Sequence, residues 1–358
     1  MKRNFIIFMF FLLAIELYSE VFPVPVGNKY GYIDTNLKVY KQPIYEYATK
    51  FVDGIAVVKI NGDCQIINSK FEIIAHINAE YFEEPSCGYI NFWDDNTTFY
   101  TDYSGNIVFS GYDNLDQFTD NYSIVQKFNN YPIPNDYYIC DTKFKLTKIK
   151  FKLSRCSGFN NGLIYVTDLN HKTGYLNYKG EIVIPFEYSP LSFSFHNDLC
   201  LVVTEKNEPI GYIDKNNNYI IPRKYYWGTD VENNKVCVMY KEIYYKNTNR
   251  DSGCWKVIDI NDNDIYYFPE NIYIVDYSSN GICTYYYSDK EYPIRYGYIK
   301  ENGEKITEPV FRERNEFTGL FTYNVYNDYD VLVDSNGKIY KLLDIFGIKD
   351  DINAIWRD

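Results

Sequence analysis

The chain has 358 residues, with 36 Lys and Arg against 48 Asp and Glu, for a formal net charge of −12. Phosphate backbones attract the opposite sign, so this balance excludes nucleic acid as a natural partner and leaves cationic or neutral surfaces. The same charge also serves to keep an exported protein soluble.

The first segment is Met-Lys-Arg-Asn followed by an apolar run over 5–15 and then Leu17, Tyr18 and Ser19. A basic start, about 11 apolar residues and a small residue at the exit predict a secretory signal peptide at 1–19. The run is shorter than the roughly 20 apolar residues that span a bilayer. Leu17 departs from the small residue usual three places before a cleavage site, and a buried first strand or an N-terminal anchor is the competing reading. Cleavage after Ser19 removes Lys2, Arg3 and Glu16, taking the charge from −12 to about −13. The expected address is the periplasm or cell surface of a bacterium, with 20–27 as a linker.

From residue 28 to 343 one phrase recurs nine times. Its clearest copies are Tyr-Gly-Tyr-Ile-Asp at 30–34, Thr-Gly-Tyr-Leu-Asn at 173–177, Ile-Gly-Tyr-Ile-Asp at 210–214 and Tyr-Gly-Tyr-Ile-Lys at 296–300. The run ends on an anchor residue: Asp34, Asn68, Asp102, Asp141, Asn177, Asp214, Asp259, Lys300 and Asp334. Anchors are about 34 to 45 residues apart, a spacing typical of repeat architectures. Insertions at 241–250 and 288–292 lengthen two of the units.

Each unit reads as three short strands. Gly105, Gly180, Gly303 and Gly337 lie three places past an anchor and predict a hairpin turn with positive φ. The second strand often closes on proline (Pro43, Pro185, Pro222, Pro269, Pro309), which suits a strand end because it has no N–H. An aromatic follows (Tyr45, Tyr188, Tyr225, Phe311), then Phe-x-Asp/Asn-Gly or a variant, as at Phe51, Asp53 and Gly54 and at Phe159, Asn161 and Gly162. Tyr, Ile, Val and Phe dominate the runs, and no long apolar stripe has helical spacing.

These elements in fixed order resemble the WG-repeat family of bacterial proteins, although the namesake Trp-Gly is replaced by Tyr-Gly, Thr-Gly or Ile-Gly. The single Trp227-Gly228 falls at another phase. The resemblance implies a fold and no common activity. A unit that cannot bury its own apolar face must stack on its neighbours. The expected fold is therefore all-β, a tandem array of about nine three-stranded antiparallel units at 28–343 with a tail at 344–358. An open superhelical array is favoured over a closed β-propeller, because propellers usually have about 4 to 8 four-stranded blades.

Chemistry is sparse. Eight cysteines in an exported chain invite disulfides. Cys200, Cys237 and Cys283, however, align with Ala56 and Ser123 as a small buried slot, where Cys acts as a small hydrophobe. Cys64 with Cys87 and Cys140 with Cys156 remain candidate pairs. His76, His171 and His196 have no metal-ligand spacing, and no catalytic, metal or cofactor motif appears. Asp259, Asn261, Asn263 and Glu270 match part of a calcium loop, but Asp264 stands where that loop needs Gly. The hairpin turn already explains their spacing.

There are 40 tyrosines. Those outside the repeat grammar, Tyr137, Tyr244, Tyr245, Tyr285, Tyr286 and Tyr287, are the candidate binding residues, because exposed aromatic rings stack on sugars or anchor partners. The expectation is a non-enzymatic exported scaffold binding a protein or glycan, with no cofactor. The alternatives are an envelope-glycan hydrolase using two carboxylates and a purely structural envelope component.

Overall fold

The computed structural model describes residues 20–130, 133–205, 208–245, 250–288, 293–315, 320–326 and 329–348. These form nine small antiparallel sheets in chain order. Blade 1 holds β1 (Val21–Val26), β2 (Lys29–Asp34) and β3 (Val39–Tyr45). Blade 2 holds β4 (Tyr47–Ala48), β5 (Ile55–Ile60), β6 (Asp63–Asn68) and β7 (Ile73–Ile77). Blade 3 holds β8 (Tyr81–Phe82), β9 (Tyr89–Trp93), β10 (Thr98–Asp102) and β11 (Ile107–Ser110). Blade 4 holds β12 (Asn114–Leu115), β13 (Tyr122–Lys127), β14 (Asp136–Asp141) and β15 (Leu146–Lys148). Blade 5 holds β16 (Leu153–Cys156), β17 (Ile164–Asp168), β18 (Thr173–Leu176) and β19 (Ile182–Tyr188). Blade 6 holds β20 (Cys200–Val202), β21 (Ile210–Ile213) and β22 (Tyr219–Tyr225). Blade 7 holds β23 (Trp227–Gly228), β24 (Lys235–Tyr245), β25 (Arg250–Asp259) and β26 (Asp264–Tyr267). Blade 8 holds β27 (Ile272–Tyr277), β28 (Ile282–Tyr287) and β29 (Gly297–Lys300). Blade 9 holds β30 (Phe321–Tyr326), β31 (Tyr329–Asp334) and β32 (Ile339–Lys341), followed by α1 (Leu342–Phe346). The segment expected as a linker, 20–27, is a strand of the first blade.

Two turn types explain the repeated punctuation. At eight of the nine anchors, the side-chain oxygen accepts the backbone N–H groups two and four residues on. At Asp34 these come from Asn36 (2.8 Å) and Lys38 (3.0 Å), and at Asp214 from Asn216 (2.9 Å) and Asn218 (2.8 Å). This is why Asp or Asn ends the run: a short oxygen-bearing side chain closes the turn on itself. Lys300 cannot do so, and Asn302 accepts the Glu304 N–H instead. The second punctuation is a two-residue turn with both central residues at positive φ, as in Asp53 (52°) with Gly54 (79°) and Asn161 (53°) with Gly162 (81°). That is the type I′ hairpin turn, whose twist matches the strands it joins.

The Gly of the repeated phrase has a different cause. The strand after it bulges inward, so a Cβ on Gly211 would lie 2.9 Å from the Ile221 carbonyl oxygen, and one on Gly174 would lie 2.8 Å from that of Ile184.

The blades pack through complementary volumes. The residue two before each anchor meets, in the next blade, the residue opposite its own anchor-minus-one partner. Tyr32 packs with Ala56, Tyr175 with Cys200 and Tyr212 with Val236, whereas Ile66 packs with Ile90 and Ile139 with Ile164. A large ring faces a small residue, and a medium chain faces a medium chain. Each tyrosine at this position also donates its hydroxyl to a carbonyl of the next blade: Tyr32 to Thr49 (2.8 Å), Tyr100 to Asp116 (2.5 Å), Tyr175 to Phe193 (2.8 Å), Tyr212 to Thr229 (2.7 Å) and Tyr298 to Asn315 (3.2 Å).

The same pairing closes the array, and this corrects the open superhelix expected from the sequence. Leu332 of blade 9 packs in one apolar cluster with Phe22, Val24 and Val26 of blade 1, joined by Leu342, Leu343 and Phe346 of α1. The Gly27 N–H donates to the Asp330 carboxylate (2.6 Å), which also accepts the Tyr323 hydroxyl (2.6 Å). Residues 303 positions apart are thus bonded, and the molecule is a nine-bladed β-propeller. The unit was read as three-stranded; five of the nine blades have a fourth, usually two-residue strand too short to leave a sequence pattern.

Two outcomes are expected. Ala56→Ile should overpack the space beside Tyr32 and destabilise the fold by about 1–3 kcal/mol. Tyr32→Ile with Ala56→Ile, copying the Ile66–Ile90 pair, should recover part of the summed loss, read as a non-additive double-mutant cycle in denaturant unfolding. The second outcome concerns acid. Hydrogen bonds from the Asn106 amide hold the Asp102 carboxyl below the ordinary 3.8, and those from Asn263 do the same at Asp259. The folded form therefore binds fewer protons than the unfolded chain, so this stability is present above about pH 4 and is lost as pH falls through the depressed values. Asp259→Asn keeps the turn acceptor and should flatten that acid limb in melting curves recorded below about pH 4.

Candidate functional site: the hairpin rim and the seam groove

Strand register sorts every connection onto one of two rims. Ile55 opposes Asn68, Tyr122 opposes Asp141 and Lys235 opposes Asp259, so the anchor turns and the type I′ turns share one rim. That rim is nearly uniform from blade to blade. The opposite rim carries the hairpins, and these vary from two residues (27–28) to nine (288–296). Both insertions noted in the sequence fall there, in neighbouring blades. The first is a strand extension: β24 and β25 remain paired as far as Tyr245 opposite Arg250.

All six candidate tyrosines lie toward this hairpin rim, although their environments differ. Tyr137 is buried among Ile139, Ile149 and Leu153. Tyr285 is fully buried and donates its hydroxyl to the Thr307 carbonyl (3.1 Å). Tyr286 and Tyr287 are half-buried, with Tyr286 stacked on Tyr273 at 4.9 Å and Tyr287 donating to Glu308 (2.7 Å). The side chains of Tyr244 and Tyr245 lie outside the described residues.

The rim instead exposes aromatics that the sequence reading did not single out. Tyr81 is 51% exposed and stacks on Trp93 at 5.7 Å; Tyr47, at the equivalent position of blade 2, is 49% exposed; Phe128 begins the 128–135 hairpin and is 54% exposed. The available signal was position: each of these residues lies at a strand end, where the inward and outward alternation stops.

A groove of about 630 Å³ lies at the ring seam, lined by Phe22, Pro23, Pro25, Phe321, Lys50 and Arg314 among others. Blade 1 has no strand before β1 among the described residues. By register, Pro23 and Pro25 take the places of Val57 and Lys59, whose carbonyls receive the Thr49 and Glu46 N–H groups in blade 2. Two outward ladder positions of β1 therefore lack an N–H, which blunts the edge against strand pairing.

Two carboxyls share the region where blades 3 and 4 meet. Glu83 and Asp116 are half-open to solvent yet crowded by protein, and burial pushes both above the ordinary carboxylate range, with Asp116 adding repulsion at Glu83. The Asn91 amide donates to Glu83 (3.3 Å) and to the Leu115 carbonyl (2.6 Å), and the Asn114 amide donates to Asp116 (3.0 Å). Pairs of this kind are the usual setting for acid–base work.

Other sequence features have local partners. Asp259 spends its oxygens on the N–H groups of Asn261 and Asn263 and on the Asn263 amide, while Glu270 lies 3.7 Å from Lys241. His76 pairs with Asp63 (2.7 Å), and His196 lies 3.6 Å from Asp230. Among the described residues, no group of three or more His, Cys, Asp or Glu is placed to hold a metal. All eight thiols are free in this structure, and Cys64 is not paired with Cys87, nor Cys140 with Cys156. Cys237 is also not in the small slot. Register puts Val236 there, opposite Ile258, with Cys237 one residue on, opposite Val257.

Comparison with known proteins supports the architecture. A crystal structure of a eukaryotic initiation factor is similar over 90% of this chain and 95% of that one, at 12% identity and a TM-score of 0.61. At that identity the likeness shows the fold alone. The dihydro-heme d1 dehydrogenase NirN matches over 80% of this chain and 72% of its own (14% identity, TM-score 0.46). BamB from Moraxella catarrhalis matches over 66% and 77% (9% identity, TM-score 0.36). No curated protein matches the sequence. The WG containing repeat matches at residues 30–63, 174–207 and 210–242. The protein is thus a nine-bladed propeller that carries WG-containing repeats in blades 1–2, 5–6 and 6–7.

Proposed function

We propose that the chain is an exported, non-enzymatic scaffold that binds a protein or glycan through its hairpin rim. The observation that carries this reading is the asymmetry of the two rims. The anchor rim repeats one turn with little change, as folding requires, whereas the hairpin rim holds the length variation and the exposed Tyr47, Tyr81 and Phe128. Loops set on a rigid frame are where binding residues concentrate, and an accessible Tyr81–Trp93 stack offers the flat apolar surface that a sugar ring or an apolar side chain can cover. Export is supported by Pro23 and Pro25: a first blade whose open edge lacks two N–H donors tolerates the loss of everything before Glu20.

A second reading is favoured by one observation, the Glu83–Asp116 pair, which supplies the two carboxyls that a glycan hydrolase needs. Two experiments separate the readings. Glycan-array and pull-down assays with residues 20–358 should yield a ligand at micromolar concentration, and Trp93→Ala or Phe128→Ala should weaken it by about tenfold, while Asn216→Ala on the other rim leaves it unchanged. The absence of any ligand, or equal loss from both rims, overturns the scaffold.

Glu83→Gln and Asp116→Asn provide the second experiment. Raised carboxyls bind more protons folded than unfolded, so their effect on stability turns unfavourable as pH climbs above about 4. Both variants should therefore melt higher than the parent at neutral pH and much the same near pH 4. Under the scaffold reading ligand binding survives both changes; under the hydrolase reading glycan cleavage is lost.

A further inference from the structure

The Cys237 and Cys283 sulfurs lie 3.6 Å apart across the interface between blades 7 and 8, and both residues are wholly buried. Their meeting follows from the packing rule above. At this interface the residue two before the anchor is Val257, and the slot it faces is Cys283, opposite Ile299. Elsewhere a tyrosine faces a smaller residue or two larger apolar chains face each other, but here a valine faces a cysteine. Cys237 is the direct cross-strand partner of Val257, so its side chain emerges on the same face and occupies the space a tyrosine ring would take. Cys200, in the slot of blade 6, is kept apart by contrast: it contacts the Tyr175 hydroxyl at 3.0 Å and donates to the Phe193 carbonyl.

We propose that Cys237 and Cys283 are a disulfide site that staples blades 7 and 8 when the chain folds in the presence of a disulfide oxidant. One thiol gives up its proton, and its sulfur attacks a disulfide RSSR, releasing one RS⁻ that takes up that proton. The second thiol then displaces the other RS⁻ from the mixed disulfide, and its proton goes to that leaving group. The sum is two protein thiols and RSSR giving one protein disulfide and two RSH, with the protein oxidised by two electrons and the oxidant reduced. Closing the bond needs the sulfurs to approach from 3.6 Å to about 2.05 Å, a shift within the reach of side-chain rotation and small sheet movement. Burial also pushes the Cys237 thiol well up, so the thiolate is scarce in the closed ring. Once formed, the bond lies between wholly buried residues and is shielded from reductant.

The test is oxidative refolding of residues 20–358 in mixed reduced and oxidised glutathione, followed by alkylation in denaturant and peptide mapping. The expected result is a peptide linking Cys237 to Cys283, two alkylated sites fewer than in the reduced protein, and a higher melting temperature for the oxidised form. The 46-residue separation is long enough for the cross-link to restrict the unfolded chain appreciably. Comparing oxidised with reduced protein of unchanged sequence avoids reliance on a variant that fails to fold; Cys283→Ser should lose the linked peptide and the gain in melting temperature. Full alkylation of both cysteines in protein with native sheet content, or linkage of either one to a different cysteine, overturns the proposal.

Discussion

Everything in this molecule depends on how one blade presses on the next. A three- or four-stranded sheet of this size buries one face at most, and the rest of its apolar surface is covered only by a neighbour. The decisive contact is between the residue two before an anchor and the slot opposite in the following blade. Where the first is tyrosine, its ring takes the volume and its hydroxyl satisfies a carbonyl that would otherwise be buried unpaired. Where it is Ile or Leu, the slot grows to Ile or Phe to compensate. Because interiors are close-packed, each pair constrains the identity of its partner in the next blade. The ninth pair, Leu332 with Phe22, occupies the same positions and joins the last blade to the first.

That rule explains what was legible in the sequence. The anchors, the turn glycines and the strand-closing prolines act locally, through turn hydrogen bonds and missing N–H groups, so they are visible as repeated letters. The nine-fold repeat and the all-β composition follow from them. Ring closure was not legible, because it rests on contacts between residues about 300 positions apart, such as Gly27 with Asp330, and no local spacing reports them. The two-residue strands β4, β8, β12 and β23 were hidden for a different reason: they are shorter than one period of alternation. The misplacement of Cys237 has the same origin. A shift of one residue in a strand moves a side chain to the other face, and only pairing with Val257 fixes which face it takes.

The candidate site was less legible than the fold. The sequence reading chose tyrosines outside the repeat grammar, on or near insertions, and in this fold such a tyrosine can as easily be a packing ring. Tyr285 shows this, with its ring in the blade 7–8 core and its hydroxyl on Thr307. Exposure depends on the parity of a residue within its strand. Tyr81 and Tyr47 escape burial because they sit at the open end of a short first strand.

The seam adds a last step to this logic. A repeat ring assembled from one chain needs its first and last blades to meet without sharing a strand, as blades 1 and 9 do here. In such a joint every stabilising contact is a side chain or a cap, which is why α1 is laid across it: Phe346 reaches so close to Gly31 that a Cβ there would lie 2.7 Å from the ring. Among the described residues one edge of β1 is unpaired, and prolines at two of its outward positions remove donors that would recruit a foreign strand. The groove beside that edge is consequently a cavity with carbonyl acceptors, two cations (Lys50 and Arg314) and apolar walls, in a chain that is otherwise strongly acidic. Among the described residues the first blade has three strands, and its joint with the last blade interrupts the regular succession of the ring; a break in symmetry is where a repeat protein can offer a surface that its other blades cannot.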